Sequence, residues 1–128
     1  MNPENLKYSK EHEWAKVEGN SVTFGITDHA QESLGDVVFV ELPGVGATVT
    51  AGKAYGTVES VKAVSDLYAT VSGKVVEVNQ EVLDAPDKLN SDPYGEGWLI
   101  KVEADDLSPL DELMNAAEYE AFLAEEGH

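Results

Sequence analysis

Val22, Phe24 and Ile26 alternate with smaller or polar residues, and Gly19-Asn20 just before them can take positive φ. A period of two running back through such a turn predicts a β-hairpin over residues 14–26. A valine-rich run over residues 36–42 closes at Pro43-Gly44 and reads as a well-buried strand. Between the two, Asp28 as cap, Gln31 reaching back and Gly35 in the left-handed region predict a short helix. From Thr48 to Val78 valines recur between small residues and glycines, including Ala51-Gly52 and Ser72-Gly73, which is the texture of short strands. Residues 97–102 predict one more strand, and Asp84, Asp87, Asn90 and Asp92, interrupted by Pro86 and Pro93, read as an acidic surface loop.

Near the C-terminus the period changes to that of a helix. Ser108 as cap, Pro109 in the first turn and Asp111 in the capping-box position predict its start. Leu110, Leu113, Met114 and Ala117 fall on one face. Asn115 is expected to divide this helical tail, about residues 108–126, so that the second part buries Tyr119, Phe122 and Leu123. Many short strands with helices at the edges predict a mostly β domain closed as a sandwich or barrel. A chain of 128 residues, 42% hydrophobic and without a linker, suits one domain spanning 1–128.

Eight lysines, no arginine and 25 acidic residues give a net charge of -17. Such a surface repels a phosphate backbone and excludes nucleic acid as a partner, while serving solubility and steering towards basic docking surfaces equally well. Without cysteine there is no disulfide, thiolate metal site or catalytic thiolate. Residues 1–10 lack a hydrophobic signal core and an arginine-rich character, and no apolar run approaches the ~20 residues that cross a membrane. The expectation is a cytoplasmic protein with no membrane association, or a mitochondrial matrix protein if a presequence had been removed.

The segment from Gly56 to Leu67 needs a turn yet contains no proline, asparagine or internal glycine at which to make one. Lys62 stands there between Val61 and Ala63, where its charge must project into water. A lone lysine of this kind is ordinarily a solvated turn residue. Its flanks change the picture: Glu59-Ser60-Val61-Lys62-Ala63 resembles the lipoyl-attachment hairpin of glycine cleavage H proteins. The resemblance continues in order through His12-Glu13-Trp14, residues 25–31, residues 35–43, Val71-Ser72-Gly73, Asn90 to Gly95 and Gly97-Trp98, nearly the whole chain. Thr70, Gly44 and Glu11 depart from the family's usual residues, none of them at the lysine.

The resemblance implies a lipoyl-domain-like barrel-sandwich hybrid with short helices in the N-terminal part and at the C-terminus. It implies lipoate held covalently on Lys62 as N6-lipoyllysine, placed there by a lipoate ligase or a lipoyl or octanoyl transferase. The arm would take the aminomethyl group of glycine from the glycine decarboxylase (P protein) to the aminomethyltransferase (T protein), and dihydrolipoyl dehydrogenase (L protein) would reoxidise it. An alternative within the same chemistry is an H-like relay of lipoate to 2-oxoacid dehydrogenases. About eleven bonds advancing ~1.25 Å each give the arm a reach of roughly 14 Å. Glu13, His29 and Asp66 match family positions lining a cleft that shelters the loaded arm, the two carboxylates suiting an ammonium. The chain is expected to be a monomeric carrier, with neither catalytic residues nor a metal. Lys74 follows the Ser72-Gly73 turn but lacks the motif, and is expected to stay unmodified.

Two other patterns lead nowhere. Gly44-Val45-Gly46 has Val49 where a dinucleotide loop needs its third glycine, and Lys16 stands where a His12-Glu13 zinc-protease helix needs its second histidine.

Overall fold

The alternation at Val22, Phe24 and Ile26 builds the centre of the larger of two sheets. The computed structural model describes residues 3–127. Its elements are β1 (Lys7–Tyr8), β2 (Glu13–Glu18), β3 (Ser21–Ile26), α1 (Asp28–Leu34), β4 (Val37–Glu41), β5 (Thr48–Val49), β6 (Ala54–Ser60) and β7 (Val64–Tyr68). There follow β8 (Gly73–Val78), α2 (Gln80–Asp84), α3 (Lys88–Ser91), β9 (Ile100–Ala104), a 3-10 turn (Ser108–Glu112) and α4 (Ala116–Gly127). One sheet runs β1-β2-β3-β9-β8-β5 and the other β4-β6-β7, with every pairing antiparallel. This two-sheet, mostly β architecture with short helices agrees with the sequence pattern.

Three apolar clusters hold the elements together. Val22, Phe24, Ile100 and Val102 meet Val71 and Val75 beneath the six-stranded sheet. Val40, Val58 and Leu67 from the inner face of the three-stranded sheet meet Ile26, Leu99, Val82 and Leu89. Leu42 and Tyr55 pack against both and join them. In the third, Leu6, Tyr8 and Trp14 receive Ala116 and Tyr119 of α4, with the Tyr8 and Tyr119 rings stacked at 4.8 Å.

Several local expectations are corrected. The cap of α1 is Thr27, whose hydroxyl accepts the Ala30 N–H at 3.2 Å. Asp28 is the first helical residue and accepts from the Gln31 side chain at 2.8 Å. Gly35 does end the helix with a positive φ of 78°. The acidic loop is bounded and interrupted by two short helices: α2, ending at Asp84, is capped by Asn79, whose side chain accepts the Glu81 N–H, and α3 follows at Lys88–Ser91. The last strand begins at Ile100, three residues later than expected. The segment after Ser108 is 3-10, and Asp106 accepts from both the Ser108 N–H and hydroxyl, displacing Ser108 from the capping role. Asn115 does divide the tail: its side chain accepts the Glu118 N–H at 2.8 Å while Glu118 accepts the Asn115 N–H at 2.9 Å. That reset of the helical phase buries Ala116 and leaves Ala117 exposed.

The strand over 36–42 is also not the well-buried one expected. It lies at the edge of the three-stranded sheet and its register with β6 shifts between Val37 and Phe39. A bulge breaks the two-residue alternation, so that Val38 and Phe39 are both exposed.

Candidate functional site: a lysine at a braced hairpin tip beside a cleft

The β6–β7 hairpin runs in register from Gly56 opposite Leu67 to Glu59 opposite Val64 and turns through Ser60-Val61-Lys62-Ala63. The turn lacks the usual residues because Ser60 does their work. Its backbone N–H donates to Ala63 O at 2.8 Å, and its hydroxyl accepts from the N–H groups of Ala63 (3.1 Å) and Lys62 (3.3 Å). The Val61 N–H donates to Asp36 O at 3.0 Å, fixing the tip to the residue before β4.

That platform is itself braced. Asn90 donates to Gly35 O at 2.8 Å and to the Gln31 side chain at 3.0 Å, and accepts the Val37 N–H at 2.9 Å. One side chain thus joins the end of α1 to the start of β4. Lys62 is exposed, and its stem passes over Gly35: a Cβ built there would lie 3.5 Å from Lys62 Cε.

A cleft of about 300 Å³ opens beside the tip, at Ala63 and Val64. One wall is α1, through Ala30, Ser33 and Leu34; the other is β7, through Val64, Ser65, Asp66 and Leu67; Ile26 and Val58 line it further in. Glu11, His12 and Glu13 close the remaining side. The structure therefore brings Glu13 and Asp66, 53 positions apart, to one cleft with Lys62 at its mouth. His29 does not line it. Its ring lies against that of His12 with centroids 4.5 Å apart, and its Nδ1 is buried without a hydrogen-bond partner.

The two carboxyls differ in environment. Asp66 is exposed, whereas Glu13 is only 4% exposed. Burial raises the Glu13 pKa to about 8, overriding the Tyr68 N–H that donates to its Oε2 at 2.8 Å, with the charge of Glu11 adding to the rise. Burial thus favours the protonated, uncharged form of Glu13. Tyr55 stands near it, its hydroxyl buried without a hydrogen-bond partner and its pKa pushed well above the phenolic range by burial.

The cleft has a support that sequence reasoning did not find. His12 Nδ1 and Thr27 Oγ1 each lie 2.8 Å from the Tyr119 hydroxyl. One hydroxyl on α4 so ties together the loop leading into β2 and the N-terminus of α1, two of the cleft's boundaries. His12 adopts φ 65°, the one non-glycine residue with positive φ among those described. Its carbonyl accepts the Thr27 N–H at 3.1 Å, so the turn is held from both its backbone and its ring. Nothing periodic in the sequence marks this hub, whose partners are 92 and 107 positions apart.

Comparison with known proteins agrees with this arrangement. The family model described as glycine cleavage H-protein matches residues 6–126. A glycine cleavage system H protein of Carboxydothermus hydrogenoformans is 62% identical over 125 residues, covering 98% of this chain and 96% of its own length. The mitochondrial glycine cleavage system H protein 2 of Arabidopsis thaliana is 57% identical over 121 residues, covering 94% of this chain and 78% of its own. The crystal structure of a glycine cleavage system H protein from Mycobacterium marinum superposes with a TM-score of 0.89 at 44% identity, covering 96% of this chain and 99% of that one. With the family model matching residues 6–126 and a relative 62% identical over nearly its full length, the chain belongs to the glycine cleavage H-protein family.

Proposed function

We propose that Lys62 is the attachment point of lipoate and that the cleft beside it shelters the arm between encounters with partner enzymes. The observation that carries this reading is the exposed lysine on a turn braced by Ser60 and Asp36, at the mouth of a cleft. As a member of its family the chain is a lipoyl carrier in glycine cleavage and not an enzyme.

The residues present suit the cofactor. Ile26, Ala30, Leu34, Val58 and Leu67 offer apolar surface to a hydrocarbon chain, in a cleft that Glu13 and Asp66 also line and that reaches Ala63, the residue after Lys62. When bound, lipoate supplies a disulfide that can accept a one-carbon amine and be restored by oxidation. Everything else falls to the chain. Ser60 and Asp36 hold the tip so that Lys62 points outward. The apolar walls exclude water from whatever lies between them.

Asp66 and Glu13 face cations, with a division of labour set by solvation. Asp66 can meet an ammonium at once. Glu13 is neutral in the empty cleft, and becomes a charge-paired acceptor only by releasing its proton as a cation arrives. His29 does not enter this scheme, since it is not among the lining residues and meets the cleft only through the ring of His12.

The partners follow from membership of the system: the glycine decarboxylase, the aminomethyltransferase and dihydrolipoyl dehydrogenase, with a lipoate ligase or a lipoyl or octanoyl transferase charging Lys62. The chain works as a single domain over 1–128, as a monomer, in the cytoplasm of its cell. No helix among the described residues is long and apolar enough to cross a membrane. The test is the intact mass of the protein from its native cells, with peptide mapping. One lipoyl group on Lys62 is expected; an unmodified Lys62 in cells that lipoylate other proteins would overturn the reading.

A further inference from the structure

Four large apolar side chains crowd the hairpin tip while facing water: Val61 is 70% exposed, Val64 67%, Val38 54% and Phe39 50%. The register explains why they lie together. Phe39, Glu59 and Val64 form one cross-strand row over β4, β6 and β7, Val37 stands opposite Ser60, and Val61 is bonded to Asp36. The bulge between Val37 and Phe39 turns both Val38 and Phe39 outward, where a regular strand would have buried one of them. An edge strand carrying two consecutive exposed apolar residues is a hazard that folded proteins ordinarily blunt with charge. Here charges stand within and beside the patch: Glu59 lies in the row between Phe39 and Val64, Glu41 and Asp66 share the row through Thr57, and Asp36 immediately precedes β4. Lys53, the nearest other cation in the sequence, is at the far end of β6.

We infer that this patch is the docking surface for the enzyme that acylates Lys62, whose active-site mouth is apolar and rimmed by basic residues. The inference rests on the assignment of Lys62 as the attachment point. It is separated from the carrier's other encounters by length. An unmodified lysine spans about five bonds from Cα to Nζ, roughly 6 Å, whereas the finished arm spans roughly 14 Å. An enzyme that must bring an acyl donor to Nζ has to close on the tip and cover the side chains beside it. Enzymes that receive the longer arm can act without burying them. The four apolar side chains would supply affinity, and the carboxylates, Glu59 among them and the others beside them, orientation against the partner's basic residues.

The test uses the purified full-length chain with a lipoate ligase, lipoate and ATP, following mass gain at Lys62. Phe39→Ser and Val38→Ser, singly and together, are compared with Val45→Ser, which removes an equally exposed valine (68%) in the loop before β5. Loss of buried contacts at a small interface predicts a fall in kcat/KM of roughly ten-fold or more for the double variant, carried mainly by KM, with Phe39→Leu close to wild type. Val45→Ser is expected to be charged at the wild-type rate. Once charged to completion, the patch variants are expected to be reduced by dihydrolipoyl dehydrogenase run in reverse with NADH, two electrons per lipoyl disulfide, at the wild-type rate. Raised salt should weaken charging through KM, since the rim interaction is between exposed charges.

Patch variants charged as fast as wild type would overturn the inference while leaving Lys62 as the attachment point. So would an equal loss in Val45→Ser, or an equal loss in the dehydrogenase step. Wild type sedimenting as a dimer that Phe39→Ser converts to monomer would also overturn it, by giving the patch a second copy of this chain as occupant. Failure of wild type to gain mass at Lys62 is a different result, which overturns the attachment assignment itself.

Discussion

The backbone N–H of Tyr68 donates a 2.8 Å hydrogen bond to Oε2 of Glu13, so the last residue of the lysine-bearing hairpin is tied to the buried carboxyl of the cleft. This bond favours the carboxylate, and burial outweighs it, leaving Glu13 with a pKa of about 8. Burial and this bond thus act on Glu13 in opposite directions.

A raised carboxyl pKa has a defined signature in stability. Between the ordinary value of 4.5 and about 8, the folded chain holds a proton on Glu13 that the unfolded chain has released. Folding stability from this group is therefore greatest below that window, falls as pH rises through it and levels off above. Glu13→Gln cannot ionise but can still accept from Tyr68. Urea unfolding should show the variant gaining on wild type with rising pH, by something on the order of a few kcal/mol above about pH 8. Parallel stability profiles would show that Glu13 ionises normally in the folded chain.

The Tyr119 hydroxyl lies within hydrogen-bond distance of both His12 and Thr27. Tyr119→Phe keeps the ring stack on Tyr8 but removes these bonds, and should lower stability by about 1–2 kcal/mol. If the hub shapes the cleft, amide exchange at Ala30 and Gln31, the first turn of α1, should quicken more than exchange in β8 and β9. Uniform quickening would reduce Tyr119 to a general packing residue.

Ser60 substitutes for the missing turn residues through its hydroxyl, which accepts from Lys62 and Ala63. Ser60→Ala should leave global stability within about 1 kcal/mol, since these bonds are exposed, yet raise the nanosecond mobility of the tip. NMR order parameters at Val61, Lys62 and Ala63 measure this directly. Unchanged values would mean that the backbone bonds, Ser60 N–H to Ala63 O and Val61 N–H to Asp36 O, hold the turn without the hydroxyl.

Lys74 lies on β8 opposite Glu103 of β9 and Thr48 of β5, within a sheet rather than at a tip. A chain with Lys62→Arg should gain no lipoyl group at all in the presence of a lipoate ligase. Lys74→Arg should gain one as wild type does. Lipoate found on Lys74 would show that exposure, and not the hairpin, selects the lysine.

Much of this protein could be read from its sequence. Alternation at Val22, Phe24 and Ile26, the valines around Gly73, and the phase break at Asn115 each concern residues within one element, where the periods of strand and helix act directly on side-chain burial. Lys62 was legible for a related reason: its flanking residues build the turn that presents it. Tertiary structure decided what involves distant partners. Glu13 has a raised pKa because the fold takes its carboxyl out of water, while the one bond that favours its ionised form comes from Tyr68, 55 positions away; the His12–Tyr119 contact crosses 107 positions. His29 has the motif position of a cleft residue but is not among the lining residues, its ring packing against that of His12. The bulge at Val38 and Phe39 belongs to the same class, since a run of valines carries the apolar surface of a strand but not its register against a neighbour. Local sequence specifies period and turn chemistry; which groups lose their water is settled only when distant segments meet.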